Sequence, residues 1–262
     1  MKNFRQQQRP KKSGLIYGRQ AVLDSLESGR QLDRIYIEPK AAGELIDAIK
    51  RKASQAAVPI NYVPAAKLDG FNITGHEGTV ALLSRVNYVN LQQLISFTVD
   101  RGEAPLFLIL DGITDIRNIG GIARTALCCG VHAIIIPDKG VGALNEDALL
   151  TSAGALDKIS VCRVNSLMKA VDELRLNGIK VFASEMTAGK NIYDCNFNEP
   201  VAIIMGSEEK GIFPALRKIC DEQFHIPMAR DFESLNVSVA TGMILYEAMK
   251  QRSGSGFPPG AE

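Results

Sequence analysis

Short apolar segments alternate with helical segments along the second half of the chain, and this alternation limits the possible folds more than any other feature. The first segment, residues 106–110, is LFLIL, with no polar side chain on either face of the strand it would form. Strands buried on both faces are typical of parallel sheets that are covered by helices. The sequence therefore predicts an α/β domain over residues 105–252. Further strands are predicted at 133–136, 180–183, 201–205 and 223–226, and the last helix at 237–252.

Residues 14–85 have the pattern of a second, smaller α/β domain. Apolar residues at helical spacing predict helices at 17–28 and 41–56. Strands are predicted at 34–37, 59–63 and 79–83. A small sheet with helices packed against it is expected.

Three segments are expected to lie outside both domains. Residues 86–104 are polar enough to be a linker around a short helix at 91–97. Residues 1–13 are predicted to be a basic disordered tail, and residues 253–262, SGSGFPPGAE, a second disordered tail.

The net charge of +1 conceals an uneven distribution along the 262 residues. Residues 1–12 contain five Lys or Arg and no acid, whereas residues 86–262 contain 16 Lys or Arg against 21 Asp or Glu. The basic tail is either an arm that binds a phosphate backbone or a solubilising extension.

Cysteine and histidine usage restricts the chemistry. The five cysteines form no CxxC pair and no Cys/His spacing typical of a metal site, so we expect core thiols, a cytoplasmic location and no metal. With only three histidines, a Cys–His catalytic pair is disfavoured. No apolar run approaches the roughly 18 residues of a membrane helix.

Most of the noteworthy polar residues lie in three loops that follow predicted strands, where open α/β sheets bind ligands. Loop one, residues 111–124, lacks the GxGxxG fingerprint of dinucleotide-binding enzymes. We predict that Gly120 and Gly121 open its helix and that Arg124 lies in the first helical turn. Since that position opposes the helix dipole, loop one is either a tight turn or an anion site that includes Asn118.

The other two loops are also open to two interpretations. Loop two, residues 205–211, carries Glu208 between two glycines. Glu208 either interacts favourably with the dipole of the following helix or is a functional acid. Loop three, residues 226–238, contains Ser234 and Asn236, and either could be an N-cap. One capping side chain is enough for a helix, so the presence of Ser234, Asn236 and Ser238 together favours a function beyond capping.

Together, the three loops resemble the signature of the SpoU/TrmH-type RNA ribose 2′-O-methyltransferases of the SPOUT superfamily. The resemblance rests on LDGxTDxxNxGxxxR at 110–124, MGSExxG at 205–211 and IPM followed by SLNVSVA up to residue 240. Residues 14–85 resemble the ribosomal-protein-like RNA-binding domain that precedes the catalytic domain in the 23S rRNA guanosine-2′-O-methyltransferase (RlmB-like) subfamily.

The resemblance implies a deep trefoil knot, S-adenosylmethionine as cofactor and a homodimer with the active site at the subunit interface. It also implies methylation of a ribose 2′-hydroxyl in RNA, with 23S rRNA as the expected substrate. By position in the motifs, the residues that would bind the cofactor are Ile136, Pro137, Met205, Gly206, Ile226, Met228, Leu235 and Ser238.

The same comparison assigns the catalytic positions to Asn118, Arg124, Glu208, Ser234 and Asn236. A hydroxyl is a weak nucleophile, so it must be held in line with the methyl group and must lose a proton. A guanidinium stays protonated, so we expect Arg124 to clamp the target phosphate and ribose. The proton would leave through Ser234, Asn236 or water.

Two positions depart from the family pattern, and two other functions stay open. Arg230 stands where glycine is frequent, and Glu77 stands where glutamine is usual after His76, which weakens the transfer of RNA contacts in that domain. One alternative is a tRNA ribose methyltransferase, although those relatives usually lack the N-terminal domain. The other is a non-catalytic RNA-binding protein, which the retained motif residues disfavour.

The charge distribution yields the first prediction. Deleting residues 1–12 removes five cations, so RNA affinity should fall and its dependence on salt concentration should become shallower. Filter-binding titrations of the full-length and truncated proteins at several salt concentrations measure both quantities. Equal affinity and equal slope would assign the tail to solubility alone.

Overall fold

The structure is a computed structural model that describes residues 14–141, 144, 146–230 and 234–253. It divides into two units after Arg85. Predictions that fall on residues 1–13 and 254–262 lie outside the described residues. In the part of the chain that is described, no helix is both long and apolar enough to cross a bilayer.

Unit one is a four-stranded sheet with helices packed on it, as the sequence predicts. Strands β2 and β3 are parallel, and β4 runs antiparallel to both β1 and β2, which gives the order β1-β4-β2-β3. The strand β1 and the short helix α3 are additions to the predicted elements. The elements are β1 (Leu15–Tyr17), α1 (Arg19–Glu27), β2 (Leu32–Ile37), α2 (Glu44–Gln55), β3 (Ile60–Tyr62), α3 (Ala65–Asp69) and β4 (Thr79–Leu83).

Unit two contains a seven-stranded sheet in the order β7-β6-β5-β10-β8-β11-β9, and all of its strand pairs are parallel. The predicted parallel sheet is therefore confirmed. The strands are β5 (Leu106–Asp111), β6 (Ala133–Pro137), β7 (Ser160–Val164), β8 (Lys180–Ser184), β9 (Lys190–Asn191), β10 (Val201–Gly206) and β11 (Glu222–His225). The helices are α4 (Leu91–Asp100), α5 (Ile116–Cys128), α6 (Glu146–Thr151), α7 (Leu167–Leu176), α8 (Pro214–Lys218) and α9 (Val237–Arg252).

Both faces of this sheet are buried, which explains the uninterrupted apolar runs. In β5, Leu106, Leu108 and Leu110 pack in one cluster with residues of α5 and α9. Phe107 and Ile109, which alternate with them, pack in a second cluster with residues of α4 and α7. Alternate side chains of a strand point to opposite faces, so helices cover the sheet on each side. The trefoil knot stays a prediction, since strand order does not define the threading of a loop.

The prediction of a linker at residues 86–104 is wrong. Val86 belongs to the first apolar cluster of unit two, and Leu91 and Ile95 of α4 are buried in the second. The helix runs three residues beyond its predicted end and is capped by Asn90, whose side chain accepts a hydrogen bond from the Gln93 amide. The polar composition reflects the solvent-facing side of α4, and its apolar side covers the sheet.

The predicted start of α5 is also wrong, and with it the placement of Arg124 in the first turn. The helix begins at Ile116 and is capped by Asp115, whose carboxylate accepts a hydrogen bond from the Arg117 amide at 2.9 Å. Gly120 lies inside the helix, and the position requires glycine because a Cβ there would be 2.3 Å from Oγ1 of Thr151 in α6. The glycine therefore permits close helix packing, and the dipole argument for Arg124 no longer holds.

A half-buried arginine anchors the end of α9 to the segments that lead into the sheet. The half-buried Arg252 donates hydrogen bonds to the carbonyl oxygens of Ala104, Pro105, Phe197 and Glu199 at 2.6–3.0 Å. Burial lowers the pKa of Arg252 to about 10, so the group is still charged at neutral pH. The last turn of α9 is thereby joined to the segments that precede β5 and β10.

This arrangement predicts a loss of stability in Arg252→Lys. A lysine cannot supply the planar fork of donors, so some of the four carbonyls lose their partner, and the free energy of unfolding should fall by about 2–3 kcal/mol. Urea denaturation measures the change. Lys250→Met, on the exposed side of the same turn, is the control and should change stability by less than about 0.5 kcal/mol. Equal losses in both variants would contradict the role given to Arg252.

Candidate functional site

The three polar loops of unit two meet at the carboxyl edge of the sheet. Strands β5 and β10 are neighbours, and their register pairs Asp111 with Gly206 at the ends of the two strands. The loop after β5 leads into α5, and the loop after β10 contains Glu208. The Asp111 carboxylate also accepts a hydrogen bond from the Phe213 amide at 2.7 Å, which ties the two loops together.

A single carboxylate oxygen connects all three loops. Oε1 of Glu208 accepts hydrogen bonds from Nδ2 of Asn236 at 2.7 Å, from the Val237 amide at 3.1 Å and from Nδ2 of Asn118 at 3.3 Å. Asn236 also donates to Oδ1 of Asn118 at 3.1 Å. Asn118, Glu208 and Asn236 form a closed triangle, which we call the Glu208 network. Three of the five residues predicted to be catalytic are therefore brought together.

Asn236 has two functions in this network. Its side chain is the N-cap of α9, where Oδ1 accepts from the amides of Ser238 at 3.0 Å and Val239 at 3.3 Å. The Ser238 hydroxyl donates to the same oxygen. Both hydrogens of Nδ2 are directed to Glu208 and Asn118. The carboxamide of Asn236 is thus fully occupied, so it holds neighbouring groups in place and has no site for a transferred proton.

Gly206 is required by the loop that carries Glu208. Ser207 and Gly211 exchange backbone hydrogen bonds at 3.2 and 2.8 Å, which closes a tight turn. A Cβ on Gly206 would be 2.2 Å from the carbonyl carbon of Gly211, so any side chain would open the turn. Gly211 itself has a φ of +63°, in the left-handed region that glycine adopts at little cost.

A cavity of about 510 Å³ lies beside the Glu208 network. Its walls come from the ends of β8, β10 and β11, from α8 and from the start of α9. Among the sequence-predicted residues, those that line it are Met205, Gly206, Glu208, Ile226, Met228, Ser234 and Leu235. Five of the eight predicted cofactor-binding positions therefore share one cavity.

The other three predicted cofactor positions are outside the lining. Ile136 is buried in the apolar core, and Pro137 ends the neighbouring strand β6. Ser238 lies in the first turn of α9, where it hydrogen-bonds to the cap residue Asn236. The two β6 residues were assigned from the motif alone, and the parallel sheet places β5 between β6 and β10.

Arg124 lies apart from the Glu208 network. It is exposed in the third turn of α5, and its side chain has no hydrogen bond or ion pair with the described residues. The adjacent Gly121 faces Ser238 of α9, where an added Cβ would be 3.5 Å from the serine Cβ. The exposed side chain of Arg124 is therefore accessible to a ligand.

Three functional candidates in the cavity were missed by sequence reasoning: Glu185, Arg217 and His225. Glu185 directly follows β8, and its carboxylate pairs with Nη1 of Arg217 at 2.8 Å. His225 is the last residue of β11. An acid immediately after a parallel strand could have signalled the position of Glu185, whereas nothing in the local sequence indicates that Arg217 reaches it across 32 residues.

The Glu208 network predicts energetic coupling between Asn118 and Asn236. In a double-mutant cycle with Asn118→Ala and Asn236→Ala, the coupling energy should be about 1 kcal/mol, because each amide depends on the other for a hydrogen bond. Chemical denaturation of the four proteins measures it. Asn118→Ala combined with Ser166→Ala, the distant cap of α7, should be additive within about 0.5 kcal/mol. Additivity in the first pair would show that the hydrogen bond between the two amides contributes nothing to stability.

Comparison with known proteins agrees with this architecture. Residues 105–246 match the SpoU rRNA Methylase family, and residues 15–89 match the family described as RNA 2′-O ribose methyltransferase substrate binding. The YacO protein of Bacillus subtilis, assigned to the TrmH family of tRNA/rRNA methyltransferases, is 33% identical over 238 residues, which are 91% of this chain and 96% of that protein.

Solved structures share the fold. The SpoU methyltransferase AviRb from Streptomyces viridochromogenes, in complex with AdoMet, superposes with a TM-score of 0.58 at 24% identity and covers 92% of this chain and 91% of its own. The TrmH/SpoU tRNA modifying enzyme of A. aeolicus has a TM-score of 0.52 at 26% identity and covers 63% of this chain and 85% of its own. The chain belongs to the SpoU methylase family of RNA methyltransferases, with an RNA 2′-O-ribose methyltransferase substrate-binding domain ahead of the catalytic one.

Proposed function

We propose that this protein methylates the ribose 2′-hydroxyl of a guanosine in 23S rRNA, with S-adenosylmethionine as the methyl donor. The observation that carries the proposal is the Glu208 network, whose carboxylate residue lines the cavity. The Glu208 network and five of the eight positions assigned to the cofactor, which come from separate motifs, lie together at the carboxyl edge of the sheet. A ribosomal substrate also implies that the enzyme acts in the cytoplasm.

The cavity fits the proposed cofactor in size and chemistry. Its volume of about 510 Å³ lies within the roughly 300–1,000 Å³ of small-molecule sites. The lining combines apolar side chains with a comparable share of polar and charged ones; the apolar ones include Met186, Met205, Ile226, Met228 and Leu235. When bound, S-adenosylmethionine supplies a methyl group on an electrophilic sulfonium. We infer that Met205, Gly206, Ile226, Met228 and Leu235 hold it there.

The residues of the chain then have to hold the ribose and remove its proton. Glu208 orients the amides of Asn118 and Asn236, so we treat Glu208 and Asn236 as positioning residues. Asn118 keeps one Nδ2 hydrogen free of the described contacts and can donate it to the substrate. Arg124 is a cation that clamps the target phosphate and ribose. With Asn236 fully occupied, the proton leaves through Ser234 or water.

This assignment predicts that Arg124→Lys retains cofactor affinity and loses most of its turnover, by about a hundredfold. A lysine keeps the charge but not the bidentate geometry for a phosphate. Single-turnover methylation rates and calorimetric titration with S-adenosylmethionine measure the two effects. Arg101→Lys, in an exposed pair with Glu103 at the opposite edge of the sheet, is the control. Turnover equal to that of the wild type in Arg124→Lys would refute the clamp.

The architecture supports an rRNA substrate over a tRNA substrate. This chain carries the additional substrate-binding domain at residues 15–89. The AdoMet-bound rRNA methyltransferase from Sinorhizobium meliloti covers 90% of this chain, whereas the A. aeolicus tRNA modifying enzyme covers 63%. The experiment is ribose-methylation mapping of rRNA and tRNA from cells with and without the gene. An unchanged rRNA map beside a lost tRNA methylation would favour the tRNA alternative.

We also propose that the protein is a homodimer that associates through α9. This helix buries one side in the core, including Thr241, Ile244 and Leu245, yet its other side is apolar too. Val239, Met243 and Tyr246 are 52%, 47% and 61% exposed, and their spacing aligns them along one face. A helix that is apolar on both sides is expected to be covered on both sides. We name these three residues the α9 stripe.

A charge in the α9 stripe should dissociate the dimer. Met243→Arg places a cation where the partner's apolar surface would pack, so sedimentation velocity should show a change from dimer to monomer at micromolar concentration. Leu176→Arg, a change at an 88% exposed leucine of α7, should leave the dimer intact. A wild-type protein that sediments as a monomer would contradict the proposed association.

A further inference from the structure

The lining of the cavity includes three polar residues to which the proposed methyl-transfer mechanism gives no role. They come from three elements: Glu185 after β8, Arg217 in α8 and His225 at the end of β11. The Glu208 network does not include any of them. Their contacts point to a specific part of the cofactor.

Glu185 is held in a fixed orientation and retains capacity to accept hydrogen bonds. Its amide donates to the Phe224 carbonyl at 2.8 Å, and its carbonyl accepts from the Ala188 amide at 3.0 Å. In the side chain, Oε2 accepts from Arg217 at 2.8 Å and Oε1 from the Thr187 hydroxyl at 3.4 Å. A carboxylate offers about four lone-pair sites, so two are left for groups in the cavity.

His225 supplies the second polar atom. The parallel register pairs Phe224 with Ser184, so the residues that follow, His225 and Glu185, are neighbours across the two strands. Nδ1 of His225 is buried and has no hydrogen-bond partner among the described residues. A buried ring nitrogen without a partner is unusual in proteins. It is closed to solvent here, and since His225 lines the cavity, a rotation of the ring is needed to present this nitrogen to a bound ligand.

These groups select among the parts of a nucleoside cofactor. Arg217 balances the charge of Glu185, so the pair has little net attraction for an ammonium or a carboxylate. Vicinal hydroxyls can donate to a carboxylate and can donate to or accept from an imidazole nitrogen. A carboxylate that follows a parallel strand is a common partner for ribose hydroxyls in nucleotide-binding sheets.

We propose that Glu185, oriented by Arg217, and His225 recognise the ribose diol of the methyl donor's nucleoside. The inference rests on the proposed function, because it assumes that the cavity binds S-adenosylmethionine. It assigns specificity for a ribonucleoside to residues outside the three sequence motifs. Arg217 acts through Glu185 and is a positioning residue.

The test uses ligands that differ by one hydroxyl. Calorimetric titration of the full-length protein compares 5′-methylthioadenosine, which has the diol and lacks the amino-acid group, with its 2′-deoxy and 3′-deoxy analogues. The wild type should bind the ribonucleoside about tenfold more tightly than at least one deoxy analogue. In Glu185→Gln this preference should disappear, since affinity for the ribonucleoside falls and affinity for that deoxy analogue does not.

Variants of His225 and a matched control complete the design. His225→Leu should reduce the preference, and His225→Asn, which keeps a polar atom close to the position of Nδ1, should restore part of it. Glu199→Gln breaks an exposed ion pair with Lys180 outside the cavity and should bind every ligand as the wild type does. Thermal melts identify any variant that has lost its fold. If His225→Leu is unfolded, the preference for the ribonucleoside is compared between His225→Asn and the wild type.

The two proposals fail in different ways. If the wild type binds neither S-adenosylhomocysteine nor methylthioadenosine, the proposed cofactor site is wrong. If it binds both, and Glu185→Gln retains the full preference for the ribonucleoside, the diol assignment is overturned while the proposed function stands. A loss of affinity confined to S-adenosylhomocysteine would also overturn it, because the carboxylate would then contact the amino-acid group.

Discussion

The pairing of β5 with β10 is the contact on which the arrangement of the site depends. These strands lie 95 residues apart in sequence, at Leu106 and Val201, yet they are in register over six residue pairs. Their side chains are apolar on both faces, and burial between two layers of helices stabilises the pair. Because the strands are parallel, both loops emerge at the same edge. The separation of the motifs along the chain is therefore no obstacle to a joint site.

The Glu208 carboxylate converts this proximity into a defined geometry. One oxygen accepts three hydrogen bonds, two from side chains in different loops and one from the first residue of α9. Hydrogen bonds to a charged acceptor are stronger than those between neutral groups, so the carboxylate can order all three segments. Asn236 is at once the cap of α9 and a member of the network, so the position of that helix and the position of the polar groups are linked.

The sequence predicts the layers of the fold well and the helix boundaries less well. Apolar runs indicate buried strands, and the parallel sheet follows from them. The sequence predicts that α5 opens at Gly120 and Gly121, but Gly120 lies in the helix interior, where glycine is intrinsically unfavourable and is required by close packing against Thr151. The polar composition of residues 86–104 predicts a linker, but it belongs to the outer side of α4. In both cases the deciding partner is distant in sequence, and no local pattern reveals it.

The same limit applies to the site. The motifs predict one site that contains Glu208, Asn118 and Asn236, and in the structure hydrogen bonds join these three residues, while five of the positions assigned to the cofactor line one cavity. The motif did not indicate that Ile136 is a core residue, since a buried strand residue and a backbone contact to a ligand look alike in sequence. Glu185 and His225 were missed because only the pairing of β8 with β11 makes them neighbours.

The geometry also separates two tasks that sequence reasoning had joined. Asn236 was considered as a route for the proton, but each polar atom of its side chain is already bonded within the protein. Arg124 cannot accept a proton either, since a guanidinium stays charged. In the proposed mechanism, Arg124 and Asn118 therefore hold the ribose, while proton removal is assigned to groups with free lone pairs, the Ser234 hydroxyl or water. A site built this way depends on rigid positioning more than on a strong base, and the shared cap of α9 supplies that rigidity.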